Sequence, residues 1–179
     1  AKTYYVATNG SDSNSGTIDS PFSTISKAHS VVEPGDIIEM RAGTYVGATL
    51  SRAGSEANWI TLRAYANETV VIDGDLNGGR SNTIYFYHSS CDPDDSDYSF
   101  VEPNGAAGSC QKMYWVVEGL DIKGGNYYAV KIDTPLVKLI NNKIHDSVYD
   151  NVKVVKSAND VVIFGNEIYK SGALGAPVN

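Results

Sequence analysis

Apolar and polar residues alternate over the last third of the chain, and the alternation repeats. Three segments align: Val116 to Lys123, Val137 to His145 and Val161 to Tyr169. Ile122, Ile144 and Ile168 fall in register, 22 and 24 residues apart. Between them lie two shorter matching runs, Ala129 to Asp133 and Asn151 to Val155, again 22 apart. Self-similarity at this period marks a solenoid. The units are short and β-branched, so the solenoid is predicted to be a parallel β-helix with three strands per coil. Strand alternation places Val130, Ile132, Val152 and Val154 on one face and Lys131 and Lys153 on the other. Asn142 and Asn166 are also in register, each two residues before an aligned isoleucine. Stacked at about 4.8 Å, they are predicted to form an asparagine ladder.

The N-terminal half punctuates the same way. Strands are predicted at 3–8, 35–40, 43–45, 59–65, 70–74 and 83–87, each ended by Gly or a polar turn. A short amphipathic helix interrupts them. Ser20 is a good N-cap, Pro21 suits the first helical position, and Phe22, Ile25, Ala28 and Val32 share one face. Pro34-Gly35 stops it. Such a helix is the expected cover for the open end of a solenoid. The fold class is therefore all-β: a parallel β-helix of about six coils with a short N-terminal capping α-helix, right-handed as the resemblance given below implies. Residues 1–179 form a single domain, divided into a cap (1–35), first coils (36–87), an inserted loop (88–112) and regular coils (113–179).

Charge narrows the partners. The net charge of −7 argues against nucleic acid. No apolar run approaches a membrane-spanning length of about 18 residues, and the twelve tyrosines and 17 glycines suit a secreted, extracellular bacterial protein. Cys91 and Cys110 bracket an Asp- and Gly-rich segment that breaks the repeat, and a bridge there would close it and suit an oxidising compartment. Within it, Asp92, Asp94, Asp95 and Asp97 lack the order of a calcium loop and read as a solvated acidic loop. His29, His88 and His145 have no metal spacing, and no nucleophile or phosphate-binding motif occurs.

The aligned lysines carry the candidate chemistry. Lys131 and Lys153 project from adjacent stacked strands, with Asp133, Asp146 and Asp150 near in sequence. Tyr127, Tyr128 and Tyr149 stand at the entrances to those strands, where rings can stack on sugars. A mixed Lys/Asp face with aromatics suits an acidic polysaccharide, and a solvated face with structural ion pairs is the plainer alternative.

The unit "V-x-I-x-x-N-x-I, short turn, strand", together with the opening from Tyr4 to Gly74, closely resembles secreted β-helix polysaccharide lyases, notably the family nine pectate-lyase group. The resemblance implies a calcium-dependent polyuronate lyase acting by β-elimination, or its N-terminal part. In such enzymes aspartates hold Ca²⁺ and a basic side chain removes the proton α to the carboxylate. It carries one calcium ligand over to this chain, Asp150, because no Asp-Asp-Gly-x-Asp segment occurs. The chain is thus expected to be the N-terminal portion of a longer solenoid without a complete catalytic coil, or one whose C-terminal open end meets a partner or a second copy. A non-catalytic carbohydrate-binding or surface-adhesion solenoid is the first alternative function, and an acid-pair glycoside hydrolase the second.

Overall fold

The structure is a computed structural model that describes residues 1–91, 110–155 and 157–172. The segment predicted as an acidic loop, with Asp92, Asp94, Asp95 and Asp97, and the stretch from Ala173 to Asn179 lie outside the described residues. The first coil begins after β1 (Thr3–Val6) and α1 (Ile25–Val31). Four coils of three strands follow in order: β2 (Ile37–Met40), β3 (Gly43–Val46), β4 (Ala48–Leu50); β5 (Ile60–Ala64), β6 (Val70–Asp73), β7 (Asn82–Phe86); β8 (Trp115–Glu118), β9 (Asp121–Lys123), β10 (Tyr128–Ile132); β11 (Val137–Ile140), β12 (Lys143–His145), β13 (Val152–Val154). β14 (Val162–Phe164) and β15 (Glu167–Tyr169) open a further coil.

Each strand pairs in parallel with its counterpart one coil away, which builds three sheets. The first holds β1-β2-β5-β8-β11-β14, the second β3-β6-β9-β12-β15, the third β4-β7-β10-β13. Ile72, Ile122, Ile144 and Ile168 stack in one column. Val130 pairs with Val152 and Ile132 with Val154, as the spacing predicts. Ile72, Ile122 and Ile144 are fully buried, whereas Ile168 in the last described coil is 46% exposed beside Phe164 at 68%. Burial against a following coil is what makes these positions apolar, and within the described residues this coil has a neighbour on one side only.

The asparagine ladder forms. Asn142 is buried, donates from Nδ2 to Val117 O at 2.9 Å and to Asn166 Oδ1 at 3.0 Å, and accepts from Leu120 N at 3.1 Å. Asn166 Nδ2 continues the pattern to Leu139 O at 2.8 Å. The residue before each stacked corner position, Leu120, Asn142 and Asn166, lies in the left-handed region: Gly119 at φ 68°, Asn141 at φ 53° and Gly165 at φ 67°. Only Gly and Asn hold that conformation at low cost, which explains the residue choice.

The cap differs from expectation. The helix starts at Ile25 with Thr24 as N-cap, not at Ser20-Pro21. Asp12 is the cause: its Oδ1 accepts from Ser23 N and Thr24 N, and its Oδ2 from the Thr24 hydroxyl. Those bonds hold the preceding segment extended, and Phe22 instead bridges to Val6. At the other end Arg52 donates to Val32 O and Ser30 O, and His29 Nε2 accepts from Ser51 N and Arg52 N at 2.9 and 3.0 Å. Burial pushes the His29 pKa down to about 4, with Arg52 adding to the shift, so the ring stays neutral and keeps its lone pair for those two amides. A Cys91–Cys110 disulfide links the flanks of the inserted segment.

Candidate functional site

Parallel stacking converts sequence spacing into columns, and the third sheet turns one of them outward. Thr49, Tyr85, Lys131 and Lys153 lie in register across β4, β7, β10 and β13. Lys131 is held rather than displayed. Its Nζ lies 3.2 Å from Asp133 Oδ2 and 5.0 Å from the centre of the Tyr85 ring. The Tyr85 hydroxyl donates to the same oxygen of Asp133, whose side chain is fully buried. Burial, followed by that bond to a carboxylate, pushes the Tyr85 phenol pKa up and keeps it a donor.

Tyr127 and Tyr149 precede β10 and β13 and stack on each other, with ring centres 5.6 Å apart and planes 12° from parallel. They are 49% and 58% exposed. Tyr128 is half-buried with its ring 6.3 Å from Tyr127. Backbone bonds keep the stack in line: Tyr149 N donates to Tyr127 O at 2.9 Å, and Tyr127 N to Ser81 O at 2.8 Å. Asp150 is exposed at the next position. The structure therefore brings Tyr127, Tyr128 and Tyr149 together and sets Lys131 in register with Lys153 a few residues on.

Two further clusters escaped sequence reasoning. On the second sheet, His145 is buried between carboxylates, with Nε2 2.8 Å from Asp121 Oδ1 and Nδ1 2.6 Å from Asp146 Oδ2. The Tyr169 ring stacks on it at 4.7 Å. The bond from His145 holds Asp146 below the usual carboxylate range. Beside it Lys123 Nζ lies 3.1 Å from Asp73 Oδ2, which raises the lysine's pKa. On the first sheet, a groove of about 590 Å³ is lined by Glu39, Arg63, Tyr65 and Glu118. Arg63 lies 2.7 Å from Glu39 and 3.7 Å from Glu118. One guanidinium between two carboxylates leaves that groove acidic, a poor match for a polyanion. The one sequence signal for either cluster is the coil register itself: Lys123, His145 and Tyr169 share a column on the second sheet, and Glu39, Arg63 and Glu118 share one on the first.

Among the described residues no three His, Cys, Asp or Glu side chains gather as a metal site. Asp150 stands exposed, and both ring nitrogens of His145 are taken by carboxylates. A hard cation needs several oxygens converging on one point. The described residues do not fit a resident calcium ion.

Known proteins share the fold along nearly the whole chain. Pectate lyase L of Dickeya chrysanthemi is 22% identical over 173 residues, which is 94% of this chain and 37% of that protein. Pectate lyase PEL9 of Emericella nidulans is 38% identical over 74 residues, 40% of this chain and 18% of that one. The crystal structure of pectate lyase Pel9A superposes with a TM-score of 0.70 at 18% identity, covering 95% of this chain and 40% of that one. The chain thus spans less than two-fifths of the length of these curated relatives. No helix among the described residues is long and apolar enough to cross a membrane. The family described as the Pel9A-like right-handed beta-helix region matches residues 4–172, and the chain belongs to it.

Proposed function

We propose that this chain is a polyuronate-binding part of a secreted, pectate-lyase-like polysaccharide lyase. The observation that carries the reading is the exposed, stacked Tyr127–Tyr149 pair, one ring per coil, beside the column holding Lys131 and Lys153. Aromatic faces offer apolar area to the C–H faces of sugar rings at little conformational cost. Lysines meet carboxylates along the same polymer. The coils rise by about 4.8 Å, a repeat of the same order as one sugar ring, so successive coils meet successive sugars.

The chemistry of the family's lyases is β-elimination, in which a base takes the proton α to the uronate carboxylate and the glycosidic oxygen leaves. Calcium would acidify that proton when bound. Its ligands are not assembled by the described residues. Lys131 is not the base in this reading, because its Nζ is already engaged by the buried Asp133 carboxylate at 3.2 Å. The role of the described residues is to bind and align the polymer.

Immobilised pectate tests this with the 179-residue protein. Retention without any rise in the ultraviolet absorbance of 4,5-unsaturated products is expected. Lys153→Ala should weaken retention about threefold to tenfold, as loss of one charge-assisted contact does. Absence of retention would sink the polyuronate reading. A chelator-sensitive rise in absorbance would show that this chain contains a catalytic centre and contradict the division of roles given above.

A further inference from the structure

The tyrosine pair does not end the candidate surface; the turn before β7 extends it one coil further toward the cap. Tyr127 N donates to Ser81 O, and Asn126 N donates to Arg80 O at 2.7 Å, so Arg80 lies under the Tyr127 turn as Tyr127 lies under Tyr149. Arg80 is set apart from the other arginines of the chain. Arg41 is paired with Glu68 and Arg63 with Glu39, while Arg52 serves the end of α1. Among the described residues Arg80 makes no ion pair. Its Nε donates to Asn82 O and its Nη2 to Thr49 Oγ1, both at 3.2 Å. A guanidinium offers five N–H donors in a planar fork, so these two bonds hold it in place and leave the rest available.

Arg80 lines a cleft of about 620 Å³ between the 76–80 turn, β3 and the cap. Hydroxyl and amide side chains make up much of the lining, including Thr8, Ser26, Thr44 and Asn77. Asp12 is the acidic residue there, and both its oxygens already accept bonds from Ser23 and Thr24. A half-buried arginine held by two neutral partners, in a cleft rich in hydroxyls, suits a carboxylate attached to a polyhydroxylated ring.

We propose that Arg80 reads a uronate carboxylate in a subsite that continues the Tyr149–Tyr127 line along the solenoid axis toward the cap. The inference rests on the polyuronate reading and adds to it the residue that distinguishes an acid sugar from a neutral one. The tyrosines then supply affinity for the ring, and the arginine supplies selectivity for the charge.

Binding isotherms with oligogalacturonate and with the same oligomer fully methyl-esterified separate the two contributions. The wild-type protein is expected to prefer the acid form at least tenfold. Arg80→Gln should reduce that preference about tenfold while leaving affinity for the ester unchanged. Arg80→Lys should fall between, because it keeps the charge and loses the fork; it also serves if the glutamine variant does not fold, and a preference that lysine leaves intact would then overturn the inference. Tyr127→Ala should weaken both oligomers alike. A wild-type preference that Arg80→Gln leaves intact overturns the role of Arg80 but not the polyuronate reading. A wild-type protein indifferent to the ester overturns both.

Discussion

Asn142→Ala lowers the unfolding free energy by about 2–4 kcal/mol, because it orphans buried backbone groups as well as deleting a side chain. Leu120 N, in the corner between β8 and β9, loses its acceptor, and Val117 O, on β8, loses its donor. Neither regains water without opening the stack, since Asn142 is 1% exposed. Asn166→Ala deletes the equivalent rung where the ladder is half-buried and should cost only about 1 kcal/mol. Urea titration measures both, with the midpoint moving and the slope unchanged. Equal costs for the two variants, or under 1 kcal/mol for Asn142→Ala, would mean that the ladder contributes nothing beyond corner geometry.

Asp133→Ala is the second large loss, about 3 kcal/mol. The Tyr85 hydroxyl and the Lys131 ammonium both converge on this carboxylate, and Ser157 and Cys110 approach its backbone oxygen from neighbouring turns. Removing it strands a phenol and an ammonium that the fold holds at partly buried positions. Asp133→Asn keeps an acceptor for Tyr85 and loses only the charge, so it should cost roughly half as much. Tyr85→Phe should cost about 1 kcal/mol. If Asp133→Ala unfolds at the wild-type midpoint, the Lys131–Asp133 pair contributes no more than a solvated surface contact.

What could be read from the chain follows from how far apart partners lie. The Val130–Val152 and Ile122–Ile144–Ile168 registers were legible because two coils of 22 and 24 residues follow without interruption. Tyr85 and Lys131 are equally in register, yet 46 residues separate them, because the inserted segment lengthens that coil. Period alone does not cross such a gap. β4 was missed for a related reason: Ala-Thr-Leu has no pattern of its own and is a strand only because β7 pairs with it. The helix start failed locally, since the Asp12 contacts come from 11 and 12 residues upstream and outcompete a good Ser-Pro signal. Among candidate site residues, the lysines are legible from alternation and the tyrosines from their place at the strand entrances. Arg80 carries no such mark, as its meaning comes from what the other arginines are already bound to.

Amide hydrogen exchange with and without de-esterified pectate oligomers tests the central claim most directly. The account predicts protection at residues 76–82, 126–131 and 149–154, in one line along the solenoid. Protection confined to the groove of Arg63 and Glu118 on the first sheet, or no protection anywhere, would contradict it.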